Sequence, residues 1–376
     1  MKPVYVIANN IISPLGDTTE KNFSLLRQGV SSVRLHEAGN RSPIPFYASL
    51  FPETFWQHHH TTFTKFEYLL AQSVNKVLEQ ASVNPAHPKT GLILSSTKGN
   101  ISLLEENAIT PQLKAKISFT QSAKKIAKHF GFINTPVVIS HACISGLVAL
   151  ITAKRMLEAG LYENVVVAGA DIITRFILSG FQSFQAVSDA PCKPFDANRN
   201  GINLGEAAAA IVLSVHKPLN DAPILLAGGA VSNDANHISG PSRTGQELFF
   251  AISNAMQEGA VSAADIGFVS LHGTATVYND DMESKAITLA ELQQVPVNSI
   301  KGYYGHTLGA AGLLETVISI CSLQENIMIP TKGYSTPGTA QQMNVCTVLQ
   351  PIEQEACLKT ASGFGGCNAA IVLKKQ

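Results

Sequence analysis

Charged residues are scarce in this sequence, and the two signs balance. Only 14% of the 376 residues are charged, and the 27 basic residues equal the 27 acidic ones in number. A chain without net charge offers no electrostatic basis for binding nucleic acid or an anionic membrane. Hydrophobic residues make up 45% of the chain, whereas a disordered chain combines low hydrophobicity with high charge. We therefore expect a globular protein with a sizeable core and with neither nucleic acid nor membrane as partner.

Motifs of several other chemistries are missing. The six cysteines form no Cys-x-x-Cys pair, and no Cys/His cluster has zinc-ligand spacing, so no metal site is predicted. The sequence has no phosphate-binding GxxxxGK[ST] and no convincing dinucleotide fingerprint, which argues against ATP-driven or redox chemistry and against a bound cofactor. It also lacks a secretory signal and any apolar run of roughly 18 residues. A cytoplasmic location is the default expectation.

What the sequence does contain is an alternation of short apolar runs with longer stretches of helical spacing. The short runs are rich in Val and Ile and suit buried strands. Their alternation with helices predicts an α/β architecture with largely parallel sheets. The runs lie at 4–8, 91–96, 137–140, 165–170, 209–215, 224–230, 266–273 and 369–373, and the helical stretches at 64–80, 120–130, 144–159, 244–258 and 309–324.

The pentapeptide AAIVL occurs twice, at 209–213 and at 369–373, with a glycine four residues before each copy. Chance can produce such a match in an Ala-rich chain. The alternative is an internal duplication in which each half ends with the same strand. The offset of 160 residues carries Cys143 to position 303, beside Lys301 and His306. We therefore expect these two turns to face each other across a pseudo-twofold axis.

The first motif with chemical potential is VVISHACISG, residues 137–146, where a buried strand is followed by a small-residue turn and a helix. The turn carries Cys143. A cysteine at a helix N-terminus meets the positive end of the macrodipole and unpaired backbone N–H groups, and both favour the thiolate. Cys143 is therefore a candidate nucleophile, although a lone cysteine is more often buried and inert.

Two further turns carry imidazole and amine groups. His272 ends a strand in LHGTATVYND, and the hydroxyls of Thr274 and Thr276 follow it. In KGYYGH, Lys301 and His306 flank a Gly-rich turn that leads into a helix. A histidine at a strand end is usually structural, but a lysine and a histidine five residues apart on such a turn are unusual in a plain core. Together with the thiol, these groups make up a candidate thioester site.

Acidic residues and a glycine loop complete the pattern. Glu315 lies on the helix after the KGYYGH turn, where a buried acid needs a partner, and Lys301 is the natural candidate. Asp280 and Glu283 are expected as helix N-cap and first-turn acids. The glycines around Phe364 in SGFGGCN let backbone N–H groups approach a ligand, so this loop could supply an oxyanion-hole donor or simply form a turn into a strand.

The motifs ACISG, HGTATVYND, KGYYGH and GFGG, in this order, resemble those of the β-ketoacyl-acyl-carrier-protein synthases of the thiolase superfamily, and the resemblance runs almost end to end. It implies a duplicated thiolase-like α/β fold with five αβαβα layers and two mixed sheets, usually as a homodimer. The halves are expected at 1–216, carrying the nucleophile, and at 217–376, carrying the two histidines. The implied enzyme is an acyltransferase that joins an acyl thioester to a decarboxylating malonyl thioester on acyl carrier protein, without a cofactor.

The resemblance also implies a role for each candidate residue. Cys143 is the acylated nucleophile, and His272 and His306 donate hydrogen bonds to the enolate. Ile144, which follows the nucleophile, is expected to shape the acyl pocket. Lys301 is held near the histidines. Phe364 is the gatekeeper, and its N–H joins that of Cys143 in the oxyanion hole. Thr274 and Thr276 contact the phosphopantetheine arm, and the supporting acids are Asp280, Glu283 and Glu315.

The sequence departs from the family pattern at five positions in four places. Asn200 replaces an acid, GEGAG becomes GEAAA, HGTxTP becomes HGTATV, and GFGGTN becomes GFGGCN. These changes spare the catalytic set but favour a specialised polyketide or aryl-polyene-type pathway over primary fatty-acid synthesis. The alternative function is a non-catalytic partner resembling a chain-length factor, which would characteristically lack Cys143. Acyl chain length, the cognate carrier protein, and pairing as a homodimer or with a related subunit stay open.

Overall fold

The computed structural model describes residues 2–58, 62–105, 107–219, 222–234 and 240–376. The α-helices in these residues are α1 Thr19–Arg27, α2 Lys65–Ala81, α3 Pro111–Ile117, α4 Phe119–Phe130, α5 Ser145–Glu158, α6 Arg175–Ser183, α7 Gln246–Glu258, α8 Val277–Leu289, α9 Lys301–Tyr304 and α10 Ala311–Glu325. The strands are β1 Tyr5–Ile12, β2 Arg34–His36, β3 Phe46–Ser49, β4 Thr90–Ser95, β5 Val137–Ile139, β6 Asn164–Asp171, β7 Leu204–Gly205, β8 Ala207–Ser214, β9 Ile224–Asn233, β10 Ile266–Ser270, β11 Pro296–Asn298, β12 Ile327–Met328, β13 Asn344–Val345, β14 Gln350–Pro351, β15 Ala356–Gly363 and β16 Cys367–Lys375.

The central sheet repeats one topology twice. Its order is β13-β11-β10-β15-β16-β9-β1-β8-β6-β4-β5. In the N-terminal half, β5, β4 and β6 are parallel, and β8 runs antiparallel to both β6 and β1. In the C-terminal half, β11, β10 and β15 are parallel, and β16 runs antiparallel to both β15 and β9. The two AAIVL copies lie in the equivalent strands β8 and β16, which confirms the predicted duplication.

The two predicted mixed sheets are hydrogen-bonded to each other along one short seam. There β1 pairs with β9 through Tyr5–Leu225 and Val6–Ile224. The remaining length of β9 pairs with β16, and the remaining length of β1 pairs with β8. The duplicated halves therefore form one continuous ladder while each half keeps its own five-strand pattern.

Helices and sheets form five layers. The helices α5 and α10 pack against each other and contact strands of both halves, so they form the central layer. Their apolar residues, with those of the inner sheet faces, make the largest buried cluster. The helices α2 and α4 cover the outer face of the N-terminal strands, and α7 and α8 cover the C-terminal strands, each over a separate core. The αβαβα arrangement predicted from the sequence is confirmed.

The central helices α5 and α10 cross at two glycines, Gly146 and Gly312. A Cβ on Gly146 of α5 would lie 2.7 Å from the backbone nitrogen of Leu313, which leaves no room for a side chain. This close approach holds the N-terminal ends of both helices together. Because the nucleophile turn precedes α5 and the KGYYGH turn precedes α10, the crossing brings the two turns to one place.

Each of the predicted elements is present with bounds that differ by a few residues. The structure adds further short strands and helices and the longer strand β15, which were not predicted. The boundary between residues 216 and 217 stays a prediction. Among the residues that the structure describes, no helix is long and apolar enough to cross a membrane.

Candidate active site

Cys143 lies in a strained turn between β5 and α5. The residue before it, Ala142, has a φ of 45°, a left-handed conformation that costs energy in a residue other than glycine. Ser145 stabilises the turn, since its hydroxyl accepts a hydrogen bond from the His141 N–H (2.8 Å) and donates one to the Ala142 carbonyl (2.6 Å). Cys143 therefore sits just before the first residue of α5, as the sequence predicts.

His272 follows the end of β10 and is fixed by a carboxylate. The backbone N–H groups of His272 and Gly273 each donate to one oxygen of Glu283, both at 2.7 Å. Gly273 has a φ of 47°, and a Cβ there would lie 2.4 Å from Ser299, so only glycine fits. The backbone thus turns sharply after the strand and directs the imidazole towards the thiol.

Lys301 determines the tautomer of His272. Its ammonium forms an ion pair with Glu315 (2.6 Å), as the sequence predicts, and lies 3.3 Å from Nδ1 of His272. An ammonium group has only donors, so Nδ1 must accept and the proton of the neutral ring must reside on Nε2. His272 therefore presents a donor N–H on the side away from Lys301.

His306 is held by its backbone. Its N–H donates to the Asn203 carbonyl (2.7 Å), and its own carbonyl accepts from the Gly205 N–H (3.0 Å). The preceding Gly305 has a φ of 66° and lies against the Leu204 carbonyl, where a Cβ would come within 2.5 Å. Neither ring nitrogen of His306 has a hydrogen-bond partner among the described residues, although the ring is buried. The ring nitrogen that faces Cys143 and His272 is thus not engaged by the protein and can meet a substrate.

These turns bring three reactive groups together. The Cys143 sulfur and one ring nitrogen each from His272 and His306 lie within 4.8 Å of one another. The two imidazoles meet edge to face, with ring centroids 5.1 Å apart and planes at 87°. Thiol and imidazole groups also bind divalent metals, but the positive charge of Lys301 beside His272 disfavours a further cation here. The cluster instead fits the polar reacting group of a substrate.

Burial sets the protonation state of the thiol. Burial, with a smaller contribution from the nearby Cys367, raises the pKa of Cys143 to about 12, while Lys301 opposes the rise. The helix N-terminus was the reason to expect a thiolate. In the substrate-free site that expectation does not hold, because removing water from a charged sulfur costs more than the helix dipole returns.

The two imidazoles are neutral as well. Burial lowers the pKa of both His272 and His306 well below the ordinary value, and the positive charge of Lys301 acts in the same direction. Protonating either ring would place a second cation beside an ammonium group in a buried site. Thiol and imidazoles are therefore uncharged together near neutral pH.

A cavity of about 480 Å³ opens onto the cluster. Cys143, both histidines, Thr274, Thr276 and Phe364 line it. Phe364 is 39% exposed, stacks on Phe181 with centroids 5.5 Å apart and contacts Phe184 edge to face. Ile144 does not line this cavity; it is fully buried in the central core.

The predicted supporting acids lie beneath the cavity. Asp280 is in the first turn of α8 and accepts hydrogen bonds from the backbone of Phe195 (2.8 Å) and Thr274 (3.0 Å). The expectation that Asp280 is the N-cap is wrong, because Thr276 occupies that position. Burial and the neighbouring Glu283 raise the pKa of Asp280 to about 7.

Sequence reasoning missed one charged residue of the site, Lys359. It lies in β15, is fully buried, and reaches the second oxygen of Glu315 (2.6 Å). A detectable signal existed, since ACLKTASG places a lysine inside an otherwise apolar and small-residue stretch, and a buried lysine needs a partner. The buried network thus contains two lysines rather than one.

Comparison with known proteins identifies the class. Residues 1–218 match the model of the β-ketoacyl synthase N-terminal domain, and residues 224–335 match that of the β-ketoacyl synthase C-terminal domain. Because the first match alone covers more than half of the chain, the protein belongs to the β-ketoacyl synthase family. It is an acyltransferase of the thiolase superfamily, as its motifs predict.

Individual relatives agree with this membership. The chain is 29% identical over 420 residues to 3-oxoacyl-[acyl-carrier-protein] synthase 2 of Vibrio harveyi, covering 99% of this chain and 98% of the relative. It is 31% identical over 296 residues to a putative polyketide β-ketoacyl synthase 1 of Streptomyces cyaneus, covering 75% and 70%. A ketosynthase solved in complex with its chain length factor, from Xenorhabdus doucetiae, matches with a TM-score of 0.87 at 24% identity over 100% of this chain and 98% of that one, which shows a shared fold.

Proposed function

We propose that the protein catalyses a decarboxylative Claisen condensation between an acyl group carried on Cys143 and a malonyl thioester. The observation that carries the proposal is the convergence of the Cys143 sulfur with His272 and His306 within 4.8 Å, from turns far apart in the sequence. A nucleophile beside two neutral donors suits a reaction in which negative charge develops first on one thioester oxygen and then on another.

In the first half-reaction the Cys143 sulfur attacks the acyl thioester and the carrier thiol leaves. The thiol is neutral at rest, so its proton must move as the carbon–sulfur bond forms. We assign this proton to the unprotonated ring nitrogen of His306, which has no hydrogen-bond partner among the described residues, and from there to the departing thiolate. The oxyanion is assigned to the backbone N–H groups of Cys143 and Phe364. In support, a Cβ at Gly363 would lie 3.0 Å from the Cys143 nitrogen, so the two loops touch.

In the second half-reaction the malonyl thioester loses CO₂. The electron pair of the broken carbon–carbon bond passes into the thioester as an enolate. Its oxygen accepts hydrogen bonds from the Nε2–H of His272 and from His306 in the tautomer that carries its proton on the nitrogen facing the cavity. The enolate carbon then attacks the acyl-Cys143 carbonyl and expels the sulfur as a thiolate, which regains a proton from water. Preorganised donors at such an oxygen contribute about 3–4 kcal/mol each.

The substrate class is assigned to phosphopantetheine thioesters of an acyl carrier protein. Thr274 and Thr276 support this assignment, since their hydroxyls, 2.8 Å apart, line the cavity and suit the amides of a pantetheine arm. Three phenylalanine rings at its entrance, Phe181, Phe184 and Phe364, suit an apolar and planar acyl chain. This favours specialised polyketide or aryl-polyene-type synthesis over primary fatty-acid synthesis.

We further propose that the protein works as a dimer, either with itself or with a related subunit. A ketosynthase of similar fold is solved with its chain length factor. The reading of this chain as the non-catalytic partner is not favoured, because it retains Cys143, Lys301 and both histidines in one cluster.

The test separates the two half-reactions. Cys143→Ala should abolish condensation, and Cys143→Gln, which mimics an acylated side chain, should retain decarboxylation of malonyl thioester. The matched control is Cys192→Ala, another buried cysteine, which should keep both activities. Intact-mass measurement after incubation with acyl-carrier thioester should show one acyl group on the wild type and none on Cys143→Ala. Unchanged condensation in Cys143→Ala would refute the proposal.

A further inference from the structure

Lys359 is a fully buried lysine with no direct contact to the cavity. Its ammonium lies 2.7 Å from the Thr360 carbonyl, 3.1 Å from that of Ser270 and 3.3 Å from that of Leu271. It also lies 2.6 Å from Glu315 Oε2. The two groups form an ion pair, but their geometry is not that of a hydrogen bond. Burial lowers the pKa of Lys359, and Glu315 opposes that effect. Three carbonyls and a carboxylate around one nitrogen provide acceptors for all three protons, so these contacts stabilise the charged form against burial.

These contacts reach His272 by two routes. The carbonyls of Ser270 and Leu271 are the last two before His272, so Lys359 holds the end of β10 from which the imidazole projects. Through the backbone, Lys359 therefore fixes the position of the His272 Cα atom, from which the imidazole extends. Through Glu315 it meets Lys301, which binds the other oxygen of the same carboxylate and approaches His272 Nδ1.

The charges of the network also constrain the ring. Two ammonium groups, Lys301 and Lys359, oppose two buried acids, Glu315 and Glu283, the latter accepting the backbone N–H groups of His272 and Gly273. With all four ionised the network is neutral, so a proton on His272 would leave an uncompensated positive charge in the buried interior. Removing one ammonium removes that opposition. The titratable groups that face Lys359 are Glu315, Lys301, Glu283, His272, His306 and Cys357.

We propose that Lys359 is a positioning residue for β-ketoacyl synthesis: it anchors the strand end before His272 and shares Glu315 with Lys301, and so keeps His272 as a neutral ring that donates from Nε2. The proposal rests on the assigned role of His272 in decarboxylation. Without Lys359, the ring would accept a proton on Nδ1, lose its hydrogen bond from Lys301 and move from the position that meets the enolate oxygen.

The experiment compares the two half-reactions across a pH series in the full-length protein. The probes are malonyl-pantetheine for CO₂ release and an acyl-pantetheine thioester for acylation of Cys143 by intact mass. Lys359→Met should slow decarboxylation ~10-fold or more and leave the acylation rate within about threefold of wild type. The acid side of its decarboxylation profile should move to higher pH. Lys359→Arg, which keeps the charge, should return the profile towards wild type.

Two controls separate position from general damage. Lys154→Met also removes a buried ammonium, one paired with Glu158 (2.6 Å) and Glu258 (2.5 Å) away from the cavity, and should leave both half-reactions and the profile unchanged. If Lys359→Met does not fold, Lys359→Gln keeps a donor to the carbonyls without the charge and should show the same shift on the acid side.

The outcomes distinguish this inference from the proposed function. A lysine that is only structural would lower both half-reactions in parallel with an unmoved profile, and that result overturns the inference. His272→Ala is measured alongside. If it retains decarboxylation, the proposed function fails. If it loses decarboxylation while Lys359→Met and Lys359→Gln keep the wild-type rate and profile, only the role of Lys359 fails.

Discussion

Gly146 and Gly312 hold equivalent positions in the two halves and make reciprocal contacts. Gly146 packs against the backbone nitrogen next to Gly312, and Gly312 packs against the backbone nitrogen next to Gly146. The Cβ that Gly146 lacks would lie 2.7 Å from the nitrogen of Leu313, and the Cβ that Gly312 lacks would lie 2.8 Å from the nitrogen of Leu147. Such reciprocal contacts are typical of a twofold interface, here within one chain. They fix the spacing of the turns that carry Cys143 and His306.

Gly312→Ala should therefore destabilise the protein. The added methyl group would lie 2.8 Å from the backbone nitrogen of Leu147 and 3.0 Å from its side chain, which costs about 1–3 kcal/mol of unfolding free energy and displaces the nucleophile turn. Gly180→Ala in α6 is the matched control, because a Cβ there meets no atom within 4 Å, and it should stabilise by about 0.5–1 kcal/mol. Denaturant unfolding of both variants checks the difference. Equal stability of the two would contradict the crossing described above.

Asp280 should make stability fall as pH rises. Its folded-state pKa of about 7 lies above the unfolded value of about 3.9, so the folded protein binds the extra proton between these values. The contribution is complete below the unfolded value and is lost as pH rises through about 7. Asp280→Asn cannot titrate, and its melting temperature should decline less between mildly acidic and mildly alkaline pH. Asp265→Asn, at an exposed helix cap, should keep the wild-type decline.

Removing the Phe364 ring should affect catalysis more than stability. The ring is partly exposed but supports the glycine loop by stacking on Phe181. Losing one such aromatic contact, about 1.4 kcal/mol, corresponds to ~10-fold slower acyl transfer if the loop moves. Phe364→Ala should show this loss with a nearly unchanged melting temperature. Phe176→Ala provides the comparison, because it removes a more exposed ring from α6, the helix that also carries Phe181. This variant should transfer the acyl group at the wild-type rate.

His306→Ala should slow decarboxylation by about 100- to 1,000-fold, because one of two donors to the enolate is lost. Overall folding should persist, since the ring makes no hydrogen bond to the described protein. Release of CO₂ from malonyl thioester measures the effect. His216→Ala, at an exposed histidine paired with Glu163, tests for nonspecific loss. A decarboxylation rate near wild type in His306→Ala would exclude it as a donor.

Much of the fold could be predicted from the sequence because its signals are local. Val- and Ile-rich runs mark the strands, and the repeated AAIVL marks β8 and β16 as equivalents. The strand β15 was not predicted, since Lys359 and Thr360 interrupt its apolar pattern. A lysine can lie in a buried strand only when distant acceptors surround it, and the sequence does not show which acceptors meet it in space.

The sequence predicted which residues meet in the candidate site better than it predicted their protonation states. Cys143 and His272 each stand in a turn between a strand and a helix, and His306 stands in the Gly-rich turn between α9 and α10; such turns are visible in the sequence. The helix N-terminus before α5 correctly indicated a nucleophile turn but gave the wrong protonation state for the empty site. Desolvation depends on how completely the loop after Gly363 covers the sulfur, and that is a property of packing.

The ion pairs of Lys301 and Lys359 with Glu315 lie wholly inside the protein, beyond the reach of dissolved ions. Counter-ions weaken attractions between groups at the surface, where the screening length is about 8 Å at physiological ionic strength, but they do not enter a sealed interior. Adding salt should leave the bond-making steps almost untouched. Any dependence of turnover on ionic strength would then report the encounter with a charged macromolecular substrate at the cavity entrance, so a simple salt titration can separate docking from chemistry.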